Sequence, residues 1–178
     1  LIVTKLPKRN LRNIVFTAML LTVLVVQEQL LVLLPNIQLT TVLLMVYAAI
    51  LPSSLLGVLV VSYVFLDNLL MGSFNLLYTL PMLLAWLFFV YVARLIRNKS
   101  MFAILLFAFA FGFIYGWFFI PSTMIERGIS IFWPYFLSDL PFEIVLAVNN
   151  YFTVLLLYPI LTGLLKPLIS QSDLHGIS

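Results

Sequence analysis

Met82-Leu83-Leu84-Ala85-Trp86-Leu87-Phe88-Phe89-Val90 is the stretch on which the fold turns. It passes without one ionised or amide side chain, so the alternation of apolar and polar positions that a membrane β-strand needs is missing. Read outward, the apolar run extends over 76–96. That is the length at which a helix, rising about 1.5 Å per residue, crosses a hydrocarbon core of about 30 Å.

The rest of the chain reads the same way. Of its 178 residues 64% are apolar and 8% charged, and the mean hydropathy is +1.20. A water-soluble domain carries about a quarter charged residues. This excludes an ordinary cytosolic enzyme, a nucleic-acid binder and a disordered chain. The net charge of +3 comes from short basic clusters between apolar segments, not from a face that could meet phosphates. There is no cysteine, hence no disulfide or thiolate metal site, and the single histidine, His175, lies in a polar tail.

The expected fold is an all-α integral membrane protein, one domain over 1–178 with six transmembrane helices. The spans fall at about 11–34, 37–51, 55–71, 76–96, 101–120 and 136–165, with a linker over 123–135. Pro35-Asn36, Pro52-Ser53-Ser54, Gly72-Ser73, Arg97-Asn98-Lys99-Ser100 and Pro121-Ser122 mark the breaks. The first run is too long for a cleaved signal peptide. Six spans put Lys5, Lys8, Arg9, Arg12, Arg94, Arg97, Lys99 and Lys166 on one side and Arg127 alone on the other. The positive-inside rule makes the basic side, with both termini, cytoplasmic. The second segment is short, and a five-span reading is the alternative; it breaks this agreement.

Polar residues concentrate in the half of the membrane away from those cations. Glu28 lies between Gln27 and Gln29; Asn36 and Gln38 open the second segment; Asp67 and Asn68 close the third; Asn75 and Tyr78 begin the fourth; Trp117 ends the fifth. Asp139, Glu143, Asn149 and Asn150 follow in the sixth, where Asp139, Glu143 and Asn150 share a helix face. Two carboxylates four residues apart repel, so they look into water, or one takes a proton or a partner such as Arg127. Ionisable groups in a bilayer are costly and mark function by default. The distribution describes a pocket open to the outside with no matching path to the cytoplasm. Interfacial anchoring accounts equally well for Asn36, Asn75, Trp117 and Asp139, and an interhelical hydrogen-bond cluster is the plain alternative for the rest. Ala108, Gly112 and Gly116 recur every fourth residue, as do Ala18 and Thr22, spacings that allow close helix packing within or between chains. No catalytic motif or metal-ligand spacing is present.

Pro35-Asn36-Ile37-Gln38-Leu39-Thr40-Thr41, Asp67-Asn68-Leu69-Leu70-Met71-Gly72-Ser73-Phe74-Asn75-Leu76-Leu77-Tyr78-Thr79-Leu80-Pro81 and Asp139-Leu140-Pro141-Phe142-Glu143-Ile144, with the chain's size and six spans, resemble the substrate-binding S-components of energy-coupling factor (ECF) vitamin transporters. The resemblance implies a prokaryotic plasma-membrane protein that is not itself an enzyme. It implies a transmembrane coupling subunit and two cytoplasmic ATPases as partners, with no cofactor or metal. Docking in that family uses alanines four apart on the first span, a pattern half matched here by Ala18 and Thr22. The expected ligand site comprises Glu28, Gln38, Asp67, Asn68, Asn75, Tyr78, Trp117, Glu143 and Asn150. Acidic, amide-bearing and aromatic, it suits a hydroxymethylpyrimidine- or pyridoxine-like vitamin, with cobalamin or the carboxylate-bearing pantothenate as further options. Two other classes compete: a small membrane enzyme using Asp67, Asp139 or Glu143, and a scaffold subunit assembling through Gly112 and Gly116.

Overall fold

The computed structural model describes residues 8–72 and 74–170, and over them the protein is helical, without a strand. Seven α-helices follow one another: α1 (Lys8–Leu31), α2 (Thr40–Ile50), α3 (Ser53–Leu70), α4 (Leu76–Ile96), α5 (Met101–Trp117), α6 (Ile120–Arg127) and α7 (Phe132–Ser170), the last entered through a 3₁₀ turn at Ile129–Ile131. Lys5, Ser73 and His175 lie outside the described residues.

The helix boundaries have local causes. Pro52, held extended, precedes α3. Asn75 caps α4 by accepting a hydrogen bond from the Leu77 N–H at 2.9 Å, and Ser100 caps α5 through Ala103. The 123–135 linker is not an open loop as expected. Pro121 sits in the first turn of α6, where its missing N–H costs nothing, and Gly128, at φ 89°, provides the break before α7. Consequently α7 begins at Phe132 rather than 136 and runs on to Ser170, through Pro141, Pro159 and Pro167.

Among the described residues five segments are long and apolar enough to cross a membrane: Asn13–Leu31, Ser53–Leu70, Leu76–Ile96, Met101–Arg127 and Ile129–Pro167. The second expected span is the exception. Its helix covers Thr40–Ile50, 11 residues or about 16 Å, roughly half a hydrocarbon core. The first span also stops at Leu31, not 34, and 32–39 is irregular, with Asn36 at φ 59°.

The placement of α2 is fixed at both ends. Arg94, near the C-terminus of α4, donates from Nη1 to the Leu51 carbonyl at 2.8 Å, which holds the end of α2 level with the Arg94, Arg97 and Lys99 cluster, here termed the basic end. At its start, Thr40 Oγ1 lies 3.5 Å from the hydroxyl of Tyr63, seven residues (about 10 Å) short of the far end of α3. That far end, where Glu126, Asp139 and Glu143 gather, is the acidic end. Segment 32–39 therefore descends into the bundle before α2 begins.

Ten of the eleven residues of α2 are buried, and it packs on α7, α4, α1 and α3. Leu44, Val46, Leu24, Leu59 and Val60 are fully covered and form an apolar plug below Thr40. Asn13 and Thr17, one turn apart on α1 toward the basic end, are buried as well, so that half is less purely apolar than its sequence suggests. Around the plug stands an aromatic layer: Trp86 lies 5.2 Å from Tyr115 and 5.3 Å from Phe111, which is 4.5 Å from Phe89, all in tilted pairings.

The small-residue stripe of α5 is used inside the chain. A Cβ on Gly112 would fall on the backbone of Ala147 in α7, and one on Gly116 would strike the carboxyl of Glu143. By contrast Ala18 and Thr22 are exposed on the outer face of α1, with Met19, Val23 and Val26 beside them, and the Thr22 hydroxyl is spent on the Ala18 carbonyl at 2.8 Å.

This packing predicts that Gly112→Ala destabilises the protein by about 1–3 kcal/mol, the usual cost of overpacking against backbone. Gly57→Ala and Gly163→Ala, whose added methyl meets nothing within 4 Å, should be neutral or stabilising. Thermal unfolding in detergent checks the ranking; equal melting temperatures for all three would refute the α5–α7 contact.

Candidate functional site

A helix that begins inside an apolar bundle exposes backbone N–H groups that water cannot reach. Here α1 supplies what α2 lacks. Gln27, buried one turn from the end of α1, accepts the Leu39 N–H on Oε1 at 2.8 Å. Its Nε2 donates to Thr40 Oγ1 at 2.7 Å, to Glu28 Oε2 at 2.9 Å and to the Leu24 carbonyl at 2.9 Å. Thr40 completes the knot by donating its hydroxyl to Glu28 Oε2 at 2.6 Å. The Glu28 carboxylate thus sits at the positive end of α2, a favourable place for an anion.

Further groups converge on this point. Asp67 of α3 is 7% exposed, leaves Oδ1 without a hydrogen-bond partner and lies within electrostatic range of Glu28. Tyr63 and Tyr115 lie within range of both carboxylates. Tyr115 also looks the other way, into a cleft of about 190 Å³ at the acidic end. Segment 32–39 contributes Asn36 to that cleft, α5 contributes Gly112, Tyr115 and Gly116, and α7 contributes Tyr135, Asp139, Phe142, Glu143 and Leu146, with Phe119 at the α5–α6 junction.

The electrostatics of the cleft are one-sided. Glu143 is 4% exposed and its Oε2 has no partner; Asp139 and Trp117 stand beside it. Arg127, the cation that could have balanced the pair, turns instead to Glu126, with Nε 3.6 Å from Oε2, and Glu126 also accepts the hydroxyl of Tyr78. Among the described residues no Lys, Arg or His lines the cleft.

The nine residues expected from sequence therefore divide. Glu28 and Asp67 meet at the start of α2, and Glu143 lines the cleft with Trp117 at its edge. Asn150 is fully buried one turn deeper than Leu146, and neither its Oδ1 nor its Nδ2 has a partner. Gln38 offers its backbone carbonyl, which accepts from Asn149 Nδ2 at 2.7 Å and ties the descending segment to α7. The other three hold the fold. Asn68 donates to the Val64 carbonyl and accepts from Thr79, Asn75 caps α4, and Tyr78 joins α4 to α6. Gln27, Thr40, Tyr63, Tyr115 and Tyr135 escaped the sequence reading. The signal for Tyr63 and Tyr115 was their depth, since a membrane tyrosine ordinarily sits at the interface, as Tyr135 in the first turn of α7 does.

Two larger grooves, of about 390 Å³ between α5 and α7 and about 440 Å³ between α4 and α6, are lined almost wholly by apolar side chains. They lack the convergent polar groups that orient a ligand. No protein-family model, no curated protein and no solved structure matches this chain.

The Gln27 knot yields a paired prediction. Gln27→Leu strands the Leu39 N–H and the Glu28 carboxylate and should cost at least about 2 kcal/mol. Gln29→Leu, which removes a buried Nε2 that has no partner, should be neutral or stabilising. Chemical or thermal unfolding in detergent distinguishes them, and equal losses would mean that α2 is not held by Gln27.

Proposed function

We propose that this chain captures a small water-soluble vitamin for an importer of several subunits, as the substrate-binding S-component of an ECF transporter. In this reading it sits in the plasma membrane of a prokaryote with six crossings, α2 being an incomplete one. The basic end and both termini face the cytoplasm, in accord with the positive-inside rule, and the acidic end faces outward.

One observation carries the proposal: the half-polar cleft at the acidic end is closed beneath by the apolar plug of α2 and its neighbours. A channel carries polar lining through its full depth, and this bundle does not. A site with one mouth binds; moving the ligand onward requires the whole body to move or the plug to part, and energy for either must come from another chain. A transmembrane coupling subunit with two cytoplasmic ATPases supplies it in this reading, with the exposed Ala18–Thr22 face of α1 as the docking surface. The chain itself performs no chemistry on its ligand.

The volume narrows the ligand. A cavity of about 150 Å³ accommodates benzene, so a cleft of about 190 Å³ suits a single substituted ring, such as a hydroxymethylpyrimidine or pyridoxine-type vitamin, whereas most of a cobalamin would stand outside it. The Glu143 Oε2 and both amide atoms of Asn150, buried without partners, are the groups such a molecule satisfies, directly or through bridging water.

Native mass spectrometry of the purified chain tests this reading. Wild type should carry a small molecule, Glu143→Ala should lose it, and the preparation should not hydrolyse ATP. Asn150→Leu should keep the melting temperature of wild type while losing at least tenfold in occupancy, because its amide contributes nothing to the empty fold. Retention of the molecule by both variants would overturn the proposal.

A further inference from the structure

We infer that the cleft selects a cation: a single-ring ligand carrying an ammonium group or a protonated ring nitrogen, seated against Glu143 and Asp139. The inference rests on the ligand-capture reading above and goes beyond it by naming the charge. Glu143 and Asp139 project from successive turns of α7 toward the same point above Gly116, which has no side chain to part them; a Cβ there would strike Glu143 and lie 2.8 Å from Asp139 Oδ2. The absence of a side chain at 116 is what lets both carboxyl groups close on the α5 backbone and stand together on the wall of the cleft.

The independent observation is the state of Glu143. It is 96% buried, it lines the cleft, and its Oε2 has no hydrogen-bond partner. The indole of Trp117 stands as a donor beside this carboxyl, but a buried carboxylate with no counter-ion is costly, and a second carboxylate beside it adds repulsion. No other titratable group near the pair supplies a positive charge: Tyr135 offers Asp139 a hydrogen bond but no charge, Tyr115 is a phenol, Glu28 and Asp67 are acidic, and Arg127 is engaged with Glu126 at the exposed rim. A bound anion would worsen the repulsion and a neutral ring would leave it untouched. A cation removes it and donates to Glu143 Oε2. Tyr115, Phe119 and Tyr135 add π faces on the same cleft, which favour organic cations over neutral rings.

Three probes matched in ring and size separate the possibilities: benzylamine, benzyl alcohol and benzoate, titrated onto the purified chain in detergent at neutral pH by calorimetry. Benzylamine should bind at least tenfold more tightly than benzyl alcohol, and benzoate should not bind. Glu143→Gln should abolish that preference, so that the variant binds benzylamine no more tightly than it binds benzyl alcohol. Asp139→Asn, at a more exposed position, should reduce it by a smaller factor and serves if the first variant does not fold. Equal binding of the alcohol and the amine would overturn the charge assignment yet leave the cleft a ligand site. No binding of any probe to wild type would sink the capture reading along with it. Displacement of benzylamine by millimolar sodium but not by an equal concentration of tetramethylammonium would assign the carboxylates to a metal ion and overturn the inference.

Discussion

The first turn of α2 is the constraint from which the rest of the molecule follows. A backbone that starts a helix about 10 Å inside an apolar bundle has donors that only protein can satisfy. Gln27 satisfies the Leu39 N–H and holds Thr40, and Thr40 and Gln27 together hold the Glu28 carboxylate at the helix terminus. Because α2 is only 11 residues long and is anchored below by Arg94 on Leu51, its upper end must be buried, and the space above it cannot be filled by a continuous helix. Segment 32–39 and the tops of α5 and α7 border that space.

The long helix α7 adapts to this geometry through α5. Gly112 lets the backbones of the two helices meet at Ala147, and one turn higher Gly116 leaves the point above it open to Glu143 and Asp139. The same stripe of small residues thus serves packing at one level and an open polar wall at the next. Below, the aromatic layer of Trp86, Phe89 and Phe111 and the aliphatic plug close the bundle with side chains that are almost wholly apolar. A molecule built this way has a polar entrance and an apolar floor.

Much of this was legible in the sequence. The unbroken apolar run around Trp86 determined the class, and Pro52, Asn75 and Ser100 begin helices for local reasons legible in the sequence, whereas the break at Gly128 was hidden in what read as a linker. What misled was segment 32–39. Ile37 and Leu39 carry apolar side chains and so read as part of a span, yet they belong to irregular backbone held by Gln27 and Asn149 from other helices. Hydropathy reports the solvent a side chain prefers, not whether its backbone is helical. The acidic residues were visible because charge in a membrane is rare, and Glu28, Asp67 and Glu143 do turn inward to buried polar surroundings. Tyr63 and Tyr115, which link those surroundings, carry no charge to single them out in a chain with eight tyrosines. Asn68, Asn75 and Tyr78 looked alike on the page, and only tertiary partners separate a helix cap and two interhelical ties from ligand-facing groups.

The central claim is that the acidic end opens to water on one side of the membrane while the middle of the bundle is closed. The chain has no cysteine, so single cysteines can be introduced on a silent background. Labelling of Asn36→Cys, Met45→Cys and Ser100→Cys with a membrane-impermeant maleimide in intact cells, and again after permeabilisation, is the most direct test. The account predicts that Asn36→Cys reacts in intact cells, Ser100→Cys only after permeabilisation, and Met45→Cys in neither. Reaction of Met45→Cys under either condition, or of Asn36→Cys and Ser100→Cys from the same side, would contradict it.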